Sequence, residues 1–280
     1  MEEYLGITPA GAVLPKDADG SDSDQEINDI DREFEGQGNN FEPFKDFCKR
    51  RFLWYYDSYL LAISKARVSV TDGQPFARMP FECPGNGMDG KFNYTELERR
   101  LKLIKTVLEE ETARWGEEGI ASKGKESGVA ANLQRQFEQV VEHYKRNVDV
   151  TLDISLEDKN PFIWNVTYFG RPMTNLDGGL FRIKLCFSPR FPEEQPRAIF
   201  QTPLPHHRIA TDGTPCYTSK RPDDAKSHIE SIIEALEEES PPYDPRTLVN
   251  PEAAKLFWGS KDDKKIYNRK LRRAVQQSME

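Results

Sequence analysis

No stretch of this chain approaches the roughly 18 continuous apolar residues of a membrane span, so no spanning helix is expected. Cysteine is scarce. Cys48, Cys83, Cys186 and Cys216 are widely separated among 280 residues, and no Cys-x-x-Cys pair occurs. That pattern supports neither a zinc site nor a disulfide framework, and no metal or other cofactor is expected. Positive charge is in deficit. Lys and Arg number 39 against 47 acids, a net charge of -8 that argues against general nucleic-acid binding. The opening Met-Glu-Glu lacks the basic end and apolar run of a secretory signal, which points to the cytoplasm and/or nucleus.

Apolar residues make up 37% and charged residues 31%, composition for a soluble chain with a core and solvated segments. The length suits two domains. Residues 1–39 read as an acidic disordered tail, with nine acids between Lys16 and Gly36 opposed by Lys16 and Arg32. Ser21 and Ser23 stand among those acids as candidate kinase sites.

Residues 40–125 read as a helical extension and linker. Phe44, Phe47, Cys48, Phe52, Tyr55, Tyr56, Tyr59, Leu60 and Ile63 recur at helical spacing, an aromatic stripe read as core. Thr95 and Glu98 fit a capping box at the start of a second helix, continued by Leu97, Leu101, Ile104, Leu108 and Trp115. The intervening residues 72–93 read as loop. Gly116, Gly119, Gly124 and Gly128 place a linker over residues 116–128.

Residues 126–280 read as a further domain. A helix carries Leu133, Phe137, Val140, Val141 and Tyr144 on one face. The period then changes to two. Strands are expected around Val148 to Leu152, Phe162 to Tyr168, Leu180 to Phe187 and Arg197 to Gln201. Their short connections suit an antiparallel meander. Helical stripes return at Ile229 to Leu236, after the Asn250-Pro251 start signal, and from Tyr267 to Val275. The fold class is therefore α+β: a helix, a four-stranded antiparallel sheet, a cysteine loop, then helices.

That loop reads Asp212-Gly213-Thr214-Pro215-Cys216, with Cys216 ten residues after His206. A thiol held in a turn at the end of a sheet can be a nucleophile, because the thiolate both attacks and leaves well. Cys186 in a strand and Cys48 on a helix stripe read as packing cysteines. Cys83 falls in loop. His207 reads as exposed.

Residues from about 130 to 280 resemble the core domain of ubiquitin-conjugating enzymes. The resemblance is carried by Tyr168-Phe169-Gly170-Arg171-Pro172, Gly178-Gly179-Leu180-Phe181, the proline-rich Phe187 to Pro192 with Pro196 and Phe200, His206, Gly213 and Cys216 at family spacing, and Asn250 to Ala254. It implies that an activating enzyme passes ubiquitin or a ubiquitin-like protein to Cys216 as a thioester, which a substrate amine then attacks. His206 and Gly213 would be structural at the site. Where the family has His-Pro-Asn, this chain has His206-His207-Arg208. Arg208 is then either a donor on the oxyanion side or a surface residue paired with an acid. Asp244 is nearest the family's acidic position beside the incoming amine, with Asp212, Asp223 and Asp224 as other candidates. The helix with Arg135, Lys145 and Arg146 would meet the activating enzyme.

Residues 217–226 lack the tryptophan and Ser-Pro-Ala element of the family, and Glu193 replaces an aromatic. Any ligase would therefore be met by a non-standard surface. The basic face of the last helix reads as solvated. Neither nucleic acid nor membrane is an expected partner. Two alternatives to an enzyme stand beside it: a weak or inactive variant serving as a binding scaffold, and an adaptor whose aromatic helices recruit a partner.

Overall fold

The computed structural model of the chain describes residues 44–77, 90–122, 128–146, 152–238 and 241–279. The readings for residues 1–39 with Ser21 and Ser23, for Cys83 and Gly124, and for Val148 and Val150 lie outside them. The chain divides into two compact units, Met1–Phe52 and Leu53–Glu280. Helix α1, Lys45–Ala66, begins in the first. There Arg50 pairs with Asp46 at 3.1 Å and the Arg51 guanidinium stands 5.0 Å from the Phe47 ring centre. Phe44 and Phe47 are exposed, so the outer end of the expected stripe is not core. All that follows concerns the second unit.

Alternation builds the sheet. Strands β1 Leu152–Leu156, β2 Ile163–Phe169, β3 Leu180–Cys186 and β4 Arg197–Phe200 pair antiparallel in that order. Directly paired residues share a face. The rows Trp164–Leu185–Ala198 and Val166–Ile183–Phe200 are buried, as is the pair Tyr168–Phe181. A one-residue slip would send all of them to the other face, so the register is strongly specified.

This inward face joins one core with helices α3 Val129–Arg146, α4 Ala225–Glu237 and α6 Lys261–Gln277. Leu133, Ile229, Ile232 and Leu271 are their buried contributions. Phe137 meets Trp164 edge-on at 5.4 Å between ring centres. Helix α5, Pro251–Phe257, adds Ala253 to the core. Among the described residues no helix is long and apolar enough to cross a membrane.

Helix α2, Tyr94–Ser122, departs from the sequence reading at both ends. The Thr95–Glu98 capping box is not formed. Asn93 Oδ1 accepts from the Glu96 amide at 2.9 Å, and Asp72 accepts from the Tyr94 and Thr95 amides at 2.7 and 3.3 Å. Asp72 arrives from the preceding loop and satisfies two orphan donors at once. Glu98 is left to pair with Arg67 and Lys102, both at 2.6 Å.

At the other end, the expected linker from Gly116 is helix as far as Ser122. A Cβ on Gly116 would meet Ile163 Cδ1 at 2.6 Å, and one on Gly119 would meet the Phe162 ring at 2.5 Å. Both glycines are buried where the helix backbone presses on Phe162 and the start of β2. The outward row Ile163–Cys186–Arg197 lies beside this contact. Gly116 meets Ile163, and the Arg197 guanidinium lies 5.1 Å from the Trp115 ring centre. Asn160 donates from Nδ2 to the Gly116 carbonyl at 3.1 Å. Burial also pushes the Cys186 thiol up to about 11, in keeping with a packing cysteine.

This contact yields a test of helix placement. Alanine at an exposed mid-helix glycine stabilises by roughly 1 kcal/mol. At position 119 the added methyl must displace the Phe162 ring, so Gly119→Ala is expected to destabilise by about 1–3 kcal/mol. Urea unfolding measures the difference, and a stabilised variant would mean the helix does not press on Phe162.

Candidate active site

The loop after β4 is shaped mainly by its own backbone. The Phe200 amide donates to the Gly213 carbonyl at 2.8 Å, and the Ala210 amide to the Thr214 carbonyl at 2.9 Å. The Cys216 amide then donates to the Arg208 carbonyl at 2.8 Å. Ile209 and Pro215 form an isolated antiparallel bridge between those bonds. Gly213 takes φ +91°, and a Cβ there would meet the Phe200 carbonyl oxygen at 2.4 Å. Only glycine fits that turn without strain. Thr214 N–H donates to Asp212 Oδ1 at 2.9 Å, which closes the tip.

Side chains brace the loop from beneath. His206 accepts the Arg208 amide at Nδ1, 3.2 Å away. Asn250 caps α5 by accepting from the Ala253 amide at 3.0 Å and donates from Nδ2 to the Ile209 carbonyl at 3.1 Å. One amide thus fixes both the helix start and the cysteine loop. The capping half was legible in the Asn-Pro pair, while the bracing half needed a contact across 41 positions.

His207 is not exposed as the sequence suggested. Only 1% of it is accessible. Its ring stacks on Phe257 at 4.3 Å and meets Trp258 edge-on at 4.8 Å. Burial, then the Arg208 charge, lowers its pKa to about 3. Burial also lowers His206 well below the usual histidine value, helped by His207 and Arg208. Both rings are neutral near pH 7 and suit support rather than proton transfer.

Arg208 is paired with an acid. Its Nη2 donates to Glu238 Oε2 at 2.6 Å, while its buried Nε has no hydrogen-bond partner among the described residues. Asp244 caps the short turn Pro245–Thr247 and is held by the Arg246 side chain and amide. The side-chain bond to Arg246, then that amide, lowers the Asp244 pKa and keeps it an ionised acceptor. Asp212 pairs with Lys105 at 2.7 Å. Asp224 caps α4 and pairs with Arg221. The carbonyl of Asp223 accepts from Gln136.

The segment after Cys216 closes on itself where the family element is missing. Tyr217 OH and His228 Nδ1 are 3.1 Å apart, and His228 Nε2 stands 3.0 Å from the Pro222 carbonyl. A carbonyl only accepts, so Nε2 carries the proton and Nδ1 accepts from Tyr217. Ser219 and the Arg221 amide both donate to Ser227 Oγ, at 3.0 and 3.1 Å. His228, on the buried side of α4, gave no signal in the sequence beyond its helical position.

The sulfur is not open to solvent. Cys216 is 3% exposed and shares a small apolar cluster with Trp54, Ala210 and Val249. Trp54 belongs to α1, and Tyr55 packs against the same cluster. Polar ties from the extension reach the same region. Asp57 accepts from the Thr211 amide and hydroxyl at 2.8 and 2.9 Å, and Tyr55 OH donates to the Arg246 carbonyl at 2.6 Å. Lys105 of α2 joins Asp212 and lies 4.4 Å from the Tyr56 ring centre. The aromatic stripe placed Tyr55 and Tyr56 on α1, but Trp54 and Asp57 were not singled out.

A helix, an antiparallel meander of four strands, a cysteine-bearing loop and closing helices follow one another here as in the ubiquitin-conjugating fold. The comparisons agree. A family model described as "Ubiquitin-conjugating enzyme" matches residues 132–275. "Ubiquitin-conjugating enzyme E2 7" of Triticum aestivum is 32% identical over 142 residues, covering 45% of this chain and 80% of that protein. "Ubiquitin-conjugating enzyme E2 7" of Arabidopsis thaliana is 28% identical over 163 residues, 53% of this chain and 94% of that protein. "Ubiquitin-conjugating enzyme E2" of African swine fever virus is 27% identical over 153 residues, 49% and 69% respectively. The chain belongs to the ubiquitin-conjugating enzyme family.

The two buried histidines make stability depend on pH. The unfolded chain binds protons at positions 206 and 207 near pH 6.5, whereas the folded chain does so only well below that. Their contribution is fully present above about pH 6.5 and is lost as pH falls toward 3. Each neutral histidine adds a slope approaching about 1.4 kcal/mol per pH unit in that window. Urea unfolding at pH 7 and pH 5 checks this, and His207→Gln is expected to flatten the slope. An unchanged slope would mean His207 does not stay neutral.

Proposed function

We propose that this protein accepts ubiquitin or a ubiquitin-like protein from an activating enzyme as a thioester on Cys216 and passes it to a substrate amine. The supporting observation is Cys216 at the family position of a loop whose backbone is pinned at Phe200, Arg208 and Ile209. In charging, the Cys216 thiolate attacks the carbonyl of the modifier's C-terminal thioester, and the activating enzyme's thiolate leaves. In discharge, the substrate amine attacks the new thioester, loses a proton and expels the Cys216 thiolate. The tetrahedral oxyanion of each step needs a donor, and loss of one such donor typically costs about 10²–10³ in rate.

Ligase contact, on this reading, uses a surface other than the family's usual one. Glu193 is exposed on the proline-rich loop, and the segment after Cys216 is folded onto Ser227 and His228.

The burial of Cys216 favours a second reading, a family member that serves as a binding scaffold without transfer. The two separate cleanly. The protein is incubated with activating enzyme, ATP and ubiquitin or a ubiquitin-like protein, then run on a non-reducing gel. The enzyme reading expects a thiol-sensitive adduct that disappears in Cys216→Ala. No adduct with any modifier supports the scaffold.

A further inference from the structure

We infer that the Trp54 to Asp57 segment of α1 is a lid over Cys216, and that Cys216 becomes reactive only when this segment lifts. Three residues of the small cluster around the sulfur, Ala210, Cys216 and Val249, come from the domain that carries the loop. The largest, Trp54, comes from α1 and is itself only 6% exposed. A thioester joins the sulfur to a modifier's C-terminal carbonyl, so a protein chain must reach that atom. At 3% exposure it cannot.

The fastenings are placed as a lid requires. Asp57 binds Thr211 and Lys105 binds Asp212, both within the loop that ends at Cys216. Tyr55 is bonded to the Arg246 carbonyl, three residues before Val249 of the cluster. The Asp57–Thr211 and Tyr55–Arg246 bonds lie at exposed positions, where water competes for them. Their replacement by water unfastens this side of α1 without unpairing any strand of the sheet, leaving the burial of Trp54 as the contact that lifting must break. The core against which the loop is braced shares no residue with the lid cluster. Lifting the lid therefore leaves the Gly213 turn and the Asn250 brace in place.

The inference rests on the transfer reading for its biological meaning but not for its test. The full-length protein is treated with iodoacetamide and modification is followed at each cysteine by peptide mass spectrometry. When opening is fast compared with alkylation, the rate at Cys216 reports the open population. Cys216 in the parent protein is expected to react far more slowly than in urea. Asp57→Ala removes two hydrogen bonds to Thr211 and is expected to raise the Cys216 rate by about tenfold or more. Thr211→Val, which keeps the shape and loses the hydroxyl bond, is expected to give a smaller increase in the same direction.

Cys186, buried in the sheet row, should stay slow in both variants, so that acceleration at Cys216 alone marks local opening. Unchanged Cys216 rates in both variants, or a parent rate equal to that in urea, overturn the lid. Faster alkylation without any thioester upon addition of activating enzyme, ATP and modifier upholds the lid and overturns the transfer reading. Faster alkylation with faster charging upholds both.

Discussion

The position of one sulfur depends on a carbonyl at the end of a strand. The Phe200 oxygen of β4 leaves no room for a side chain at Gly213, so the chain turns there with positive φ and its backbone bonds back along the loop. The Cys216 amide is carried into its bond with Arg208 as a result. The sheet register sets where Phe200 stands, since Phe200 pairs with Ile183 and Ile183 with Val166. Each of these residues is buried, and none can shift by one place without emptying the core face.

The replacement of the family triplet follows from the same geometry. His207 stands where the family sequence has proline, its neutral ring stacked on Phe257 and edge-on to Trp258. Bracing of the loop then falls to His206 and Asn250, both buried. Arg208 turns its charge to Glu238, a pairing that suits a guanidinium better than the short amide of an asparagine.

The extension is part of this arrangement rather than an appendage. Helix α2 lies against the start of β2 and the outward Arg197 through Trp115, Gly116 and Gly119, and its Lys105 reaches the loop. From there α1 is held over the cysteine through Tyr56, Tyr55 and Asp57. Core domain and extension therefore share one continuous set of contacts within the second unit. That set accounts for the burial of Cys216.

Much of the fold was legible because it repeats. The period-two runs located β2, β3 and β4, while the first run met β1 only at its opening residue, Leu152, and the apolar stripes located α3, α4 and α6. The cysteine loop was legible through Gly213 and the spacing from His206, since a turn against a strand admits few residue types. What misled were residues whose local preference was overruled from a distance. Gly116 and Gly119 read as linker because glycine disfavours helix, yet Phe162 and Ile163 leave room only for a helix surface without side chains. Thr95 read as a cap, yet Asp72 and Asn93 reach the same amides first.

The sequence by itself determined the α+β order, through periodicity along the chain, and pointed to the family through the motifs between Tyr168 and Ala254. Only the tertiary structure decided that His207 is inside, that Arg208 pairs with Glu238 and that Trp54 shares the burial of Cys216. Those outcomes depend on which surfaces meet across 30 to 160 positions of chain, and no local pattern encodes them.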